Sequence, residues 1–122
     1  MYEIKIRGDF SSAHMLKNYK GKCENLHGHN WKVEVIVIGE TLDKIGLLID
    51  FHILKSKLNI ILKSLDHKNL NLIPFFAKKN PSSENIAFFI YKKMVQLVKN
   101  YPVKISKVTV WENENQSASY YE

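Results

Sequence analysis

From Tyr2 to Arg7 the chain alternates strictly, with Tyr2, Ile4 and Ile6 set against Glu3, Lys5 and Arg7. Successive side chains of an extended backbone point to opposite faces, so this stretch reads as a half-buried strand with one apolar side. The same parity continues to Phe10 and His14, which carries an imidazole to the strand's far end. Residues 17 to 30 hold Gly, Asn and Lys and read as a loop, feeding a second strand from Trp31 to Ile38 that Gly39 ends.

The pattern then changes period. Asp50 is a good N-cap, and Phe51, Leu54, Leu58, Ile61, Leu62 and Leu65 follow mostly at three- and four-residue steps, an amphipathic helix. Asn80-Pro81-Ser82-Ser83-Glu84 signals a second helix start, with Pro81 expected at the first helical position and Glu84 in the first turn. Ile86, Phe89, Ile90, Met94 and Leu97 form its buried stripe, and Pro102 ends it. Val103 to Trp111 reads as a strand, polar residues 112 to 115 follow, and a short strand is expected near Ala118 to Tyr121. The order β-β-α-α-β-β indicates an α+β fold, a sheet covered on one face by two helices. Its 122 residues make a single domain, 1–122, without repeat or linker, and a deep active site would be completed by other subunits.

Charge narrows the partners. Eighteen basic residues against 12 acidic ones leave +6, but the lysines are spread through every segment and there is one arginine, Arg7. That gives little scope for bidentate base or phosphate recognition, so no nucleic acid is expected, while a polyphosphate ligand remains in keeping with the charge. The single cysteine forms no internal disulfide, no signal-like apolar stretch follows Met1, and no apolar run nears the ~20 residues of a membrane span. A reducing, cytoplasmic setting fits this reading.

Chemistry concentrates in Cys23-Glu-Asn-Leu-His27-Gly-His29. If His29 opens an extended segment, the two-residue period sets His27 and His29 on one side, where they can share a small cation. With His14 they would make three imidazoles around an open fourth position, a catalytic zinc geometry. The alternative is a closed structural site with Cys23 as fourth ligand, in a non-catalytic zinc-stabilised binding protein. Beside a cation the Cys23 thiolate would be favoured, making it a usable base or nucleophile. Asp66-His67 offers a proton relay, although neighbours in a chain seldom bond each other's side chains well and an Asp ending a turn explains the pair equally. Glu112 shares parity with Val108 and Val110, so it is read as pointing inward, where an amidine-like N–H pair would satisfy it, or else as an exposed strand end. His52 takes no role.

Taken in order, Phe10-Ser-Ser-Ala-His14, the Cys23 to His29 run, Leu65-Asp66-His67-Lys-Asn-Leu70-Asn71, Pro81-Ser-Ser-Glu84-Asn85 and Trp111-Glu112 resemble the 6-pyruvoyl-tetrahydropterin synthase family, including bacterial 6-carboxytetrahydropterin synthases. The resemblance covers nearly the whole chain. It implies a tunnelling fold (T-fold) of four antiparallel strands and two helices, with trimers closing a barrel and stacking as a homo-hexamer. It implies Zn2+ on His14, His27 and His29, with Cys23 as proton-transfer base beside Asp66 and His67. Glu112 would anchor a pterin ring, with Ser82 and Ser83 near it and Glu84 a weaker candidate. The implied substrate is 7,8-dihydroneopterin triphosphate, cut to a 6-carboxy product with release of acetaldehyde on the route to queuosine, or kept as a 6-pyruvoyl product in the sister branch. The spacing of Cys23 from His27-Gly28-His29 and the short length look more like the 6-carboxy branch. Two positions depart from the pattern: Asn113 where Thr usually follows the Glu, and Met15 after the first zinc histidine.

Overall fold

The first strand, β1 (Tyr2–His14), runs antiparallel to β2 (His27–Gly39) in a register that pairs Tyr2 with Gly39, Phe10 with Trp31 and His14 with His27. The computed structural model describes residues 1–22 and 24–122. β3 (Lys104–Asn113) pairs with β2, and β4 (Gln116–Tyr120) with β3, giving one antiparallel sheet in the order β1-β2-β3-β4. Two helices, α1 (Phe51–Leu65) and α2 (Ser83–Leu97), cover one face of it.

The expected parity decides which residues enter the core. Ile6 and Phe10 of β1, Trp31, Val33, Val35 and Val37 of β2, and Ile105, Val108 and Val110 of β3 meet Leu54, Leu58, Leu62, Ile86, Ile90 and Met94 of the helices. Gly8 lies in the same row as Ile6 and Phe10, and a Cβ there would stand 2.6 Å from Leu62 Cδ1. The missing side chain is what lets α1 settle onto β1. On the opposite face Arg7 and Glu34, directly paired in register, form an ion pair at 2.9 Å.

Four boundaries differ from the sequence reading. β2 begins at His27, so the end of the expected loop is already strand, held by the β1 ladder up to the His14–His27 pair. The Ser82 hydroxyl accepts the Asn85 N–H at 3.2 Å and is the N-cap of α2, which leaves Pro81 before the cap instead of inside the helix. β3 extends past Trp111 to Asn113, and β4 starts at Gln116, because Glu114 and Asn115 alone make the turn. Between the helices the chain makes two 3₁₀ turns, Leu70–Leu72 and Pro74–Phe76, which period analysis does not register.

The segment leaving α1 covers part of the outer edge of β1. Ser11 donates its N–H to Asp66 Oδ1 at 2.8 Å and accepts the His67 N–H at 2.6 Å, while the Ala13 N–H donates to the Lys68 carbonyl at 3.0 Å. Ser12, buried, bonds the Leu65 carbonyl and accepts the Lys68 N–H.

A candidate metal centre at the end of the sheet

The last rungs of the β1–β2 ladder bring His14, His27 and His29 together. His27 and His29 share a face of β2, and His14 comes up beside them as the partner of His27. Ring centroids lie 4.6 Å apart for His14–His27, 4.8 Å for His27–His29 and 5.2 Å for His14–His29. Glu112 joins from β3, and the four candidate ligand atoms all lie within 4.8 Å of one another.

Backbone carbonyls orient two of the rings. His14 Nδ1 is 2.7 Å from the Pro81 carbonyl and His27 Nδ1 is 2.8 Å from the Asn25 carbonyl, so each ring donates its Nδ1 proton there and keeps Nε2 out of that bond. His14, only 2% exposed, leaves that Nε2 buried without a partner, and His29 Nε2 is likewise unbonded. Such orphaned buried nitrogens are costly in a folded protein unless something binds them. Three clustered imidazoles, two of them steered by carbonyls behind Nδ1, are the donor set that zinc takes, so the residues fit the metal. Burial lowers the pKa of His29, and the neighbouring His14 and His27 lower it further, while Glu112 opposes them. A neutral ring ready to ligate is the result.

The floor under the rings is Trp31. Wholly buried, it meets His14 and His29 edge to face at 4.8 and 5.1 Å, stacks on Phe10 and donates its Nε1–H to the Ser12 carbonyl at 3.1 Å. Asparagine amides then act as substitute strands for the chain leaving β1. Asn71 Oδ1 accepts the Met15 N–H and its Nδ2 donates to the Met15 carbonyl, both at 2.9 Å, and Asn80 holds Lys17 in the same way at 2.7 and 2.9 Å. Sequence reasoning gave Trp31, Asn71 and Asn80 no part in the site. The signal available was the presence of amides in the Asn71 and Asn80 runs, since each offers a donor and an acceptor on one planar group.

A cavity of about 730 Å³ adjoins the histidines, lined among others by His29, Glu112, Trp111, Asn113 and Lys32. Glu112 follows the expected inward parity. Its Oε1 lies 3.3 Å from His29 Nε2, a contact the sequence did not foresee. Asp66 and His67 do bond each other, His67 Nδ1 to Asp66 Oδ2 at 2.9 Å, because His67 adopts φ +53° and swings its ring back. This pair sits at the outer edge of β1, the side away from β2, and belongs to neither the histidine cluster nor the cavity lining. Ser82 and Ser83 open α2 next to the Pro81 carbonyl that holds His14, and they too are absent from the cavity lining. Cys23, read above as the base, lies outside the described residues.

Four antiparallel strands, two helices on one face and imidazoles gathered at the sheet's end define a T-fold enzyme of the tetrahydropterin-synthase class. Residues 3–122 match the family described as 6-pyruvoyl tetrahydropterin synthase, and the chain belongs to that family. It is 40% identical over 111 residues to the dihydroneopterin monophosphate aldolase of Pyrococcus furiosus, covering 89% of this chain and 88% of that one. It is 30% identical, across the full length of both, to the 6-carboxy-5,6,7,8-tetrahydropterin synthase of Haemophilus influenzae. The solved 6-pyruvoyl tetrahydropterin synthase of Caenorhabditis elegans superposes with a TM-score of 0.87 at 30% identity, over 99% of this chain and 95% of that one.

Proposed function

We propose that this protein is a zinc-dependent 6-carboxy-5,6,7,8-tetrahydropterin synthase, which converts 7,8-dihydroneopterin triphosphate and water to the 6-carboxy pterin, acetaldehyde and triphosphate, in queuosine and related 7-deazapurine biosynthesis. The observation that carries the proposal is the convergence of three imidazoles, two of them with a buried, unbonded Nε2, beside a cavity that Glu112 lines. In support, the Haemophilus relative and a relative from Synechocystis, 37% identical over 99 residues, carry that name.

In this reading His14, His27 and His29 hold zinc through Nε2, and Glu112 accepts the paired N–H groups of the pterin ring. Bound zinc would supply Lewis acidity to the side-chain oxygens and so acidify the adjoining C–H bonds. Cys23 then takes and returns the proton, and the His67 imidazole, oriented by Asp66, exchanges it. Since Asp66, His67, Ser82 and Ser83 do not line the cavity of their own chain, they would serve the site of a neighbour. The catalytic assembly is accordingly a homo-oligomer, a hexamer in the form the resemblance implies, which would also cover the exposed edges of β1 and β4.

The Pyrococcus relative favours a second reading, an aldolase acting on the phosphorylated dihydroneopterin side chain. One experiment separates them. Zinc-loaded protein incubated with 7,8-dihydroneopterin triphosphate is expected to yield acetaldehyde and 6-carboxytetrahydropterin in equal amounts. A 6-hydroxymethyl product would establish the aldolase, a 6-pyruvoyl product the sister synthase, and no turnover with a folded, zinc-tight protein a binding role.

A further inference from the structure

Glu112 belongs to two groupings at once. It lines the cavity together with His29, and with His14, His27 and His29 it makes up the cluster whose candidate ligand atoms all lie within 4.8 Å of one another. Its place there is built into β3. Trp111 pairs with Ser117 and Asn113 with Gln116, so Glu112 is the extra residue of a β-bulge, a device that re-aims a side chain near the end of a strand. Behind it Asn113 Oδ1 accepts the Asn115 N–H at 2.8 Å and fixes the turn.

The carboxylate itself is lightly held. Its side chain is only 24% exposed, and its one hydrogen bond among the described residues, donated by Gln116 Nε2, is 3.5 Å long. Its Oε1 lies 3.3 Å from His29 Nε2, yet that nitrogen makes no hydrogen bond. A shared cation accounts for such a contact. Tetrahedral donors at zinc distances of ~2.0–2.2 Å stand ~3.3–3.6 Å from one another, so the His29–Glu112 pair already has the separation of two ligands of one ion.

We propose that Glu112 is the fourth ligand of the centre in the substrate-free protein, and that it leaves the metal to take the ring when a pterin enters the cavity. The second half rests on the reading of Glu112 as the ring anchor given above. One carboxylate cannot perform both tasks together: a substrate whose side chain reaches the imidazoles holds its paired N–H groups at the opposite end of a bicyclic ring, away from His29. At rest Glu112 closes the coordination shell. Drawn off, it frees the fourth position only once a ring with a paired N–H edge is in place, so choice of the ring and opening of the centre become one event. Because metal and ring compete for one side chain, each weakens the binding of the other by the same factor.

The test reads metal and ring binding instead of turnover. Zinc affinity is measured by competition with a chromophoric chelator and coordination by visible absorption of the Co(II)-substituted protein. The ring probe is pterin without a side chain, which brings no side-chain oxygen to the metal. Glu112→Gln, which keeps the size and loses the charge, should lower zinc affinity about 10- to 100-fold and change the Co(II) spectrum. Glu114→Gln, which removes the same charge from the turn that follows, should do neither. In the wild type, pterin should alter the Co(II) spectrum and bind the metal-free form about 5-fold or more tightly than the zinc-loaded one. A Glu112→Gln protein that keeps wild-type zinc affinity and spectrum, or a Glu114→Gln protein that loses as much, overturns the ligand role. Pterin that binds both forms equally and leaves the spectrum unchanged overturns the exchange. Pterin that binds neither form overturns the ring-anchor reading and the exchange with it, while the zinc measurements still decide the ligand role.

Discussion

His14 shows how one residue joins the fold to the candidate chemistry. It ends β1, is 2% exposed, and turns Nδ1 to the Pro81 carbonyl while its Nε2 lies buried and unbonded. His14→Ala removes one of three nitrogen donors, so zinc affinity should fall by at least about 100-fold, more than loss of an orienting partner costs. Zinc content after dialysis against a chelator checks this, with circular dichroism to verify that the chain still folds; a variant that keeps its zinc would remove His14 from the centre. Gly8 is the packing counterpart. Gly8→Ala drives a methyl to within 2.6 Å of Leu62 and 3.3 Å of Leu58, and the overpacked α1–β1 contact should cost about 1–3 kcal/mol in urea unfolding.

Among the elements, the segment 66–69 is tied to β1 by a carboxylate. The Ser11 N–H is the chief cause that lowers the Asp66 pKa, desolvation opposes it, and His67 lowers it again. The native carboxyl therefore binds its proton less readily than the unfolded one, whose pKa is about 3.9. Its stabilising contribution is in place above that value and is lost as pH falls through the lower, folded one. Amide exchange at Ser11, Ala13 and His67, corrected for intrinsic rates, should accelerate below about pH 4, and Asp66→Asn should flatten the response. Unchanged protection down to pH 2.5 would mean that the edge is held by backbone bonds alone. At the start of α2, Ser82→Ala removes the acceptor of the Asn85 N–H and should cost about 1 kcal/mol of stability.

For the whole molecule, the decisive fact is which groups one chain brings together and which it keeps apart. His14, His27, His29 and Glu112 meet, while Asp66 and His67 lie across β1 from them. If two chains build each site, His14→Ala and His67→Ala proteins are each inactive, but unfolded together and refolded they should recover about a quarter of wild-type activity, the chance that an interface draws one intact half from each side. Mixed oligomers seen by native mass spectrometry with no activity would show that a single chain must supply both halves.

Local periodicity determined a great deal on its own. The parity of Tyr2, Ile4 and Ile6 carried through Phe10 to His14, and the steps of Leu54, Leu58, Ile61 and Leu65 marked α1, because side-chain direction repeats every two residues in strands and every 3.6 in helices. That His27 and His29 share a face was visible for the same reason, the two being two residues apart. Beyond the reach of any local rule were the register that sets His14 opposite His27, the Pro81 carbonyl that fixes its tautomer, and the Asn71 and Asn80 amides that stand in for a strand. Those contacts join residues far apart in the chain, and their partners are chosen by how α1 and α2 pack on the sheet, so only the folded structure decides them.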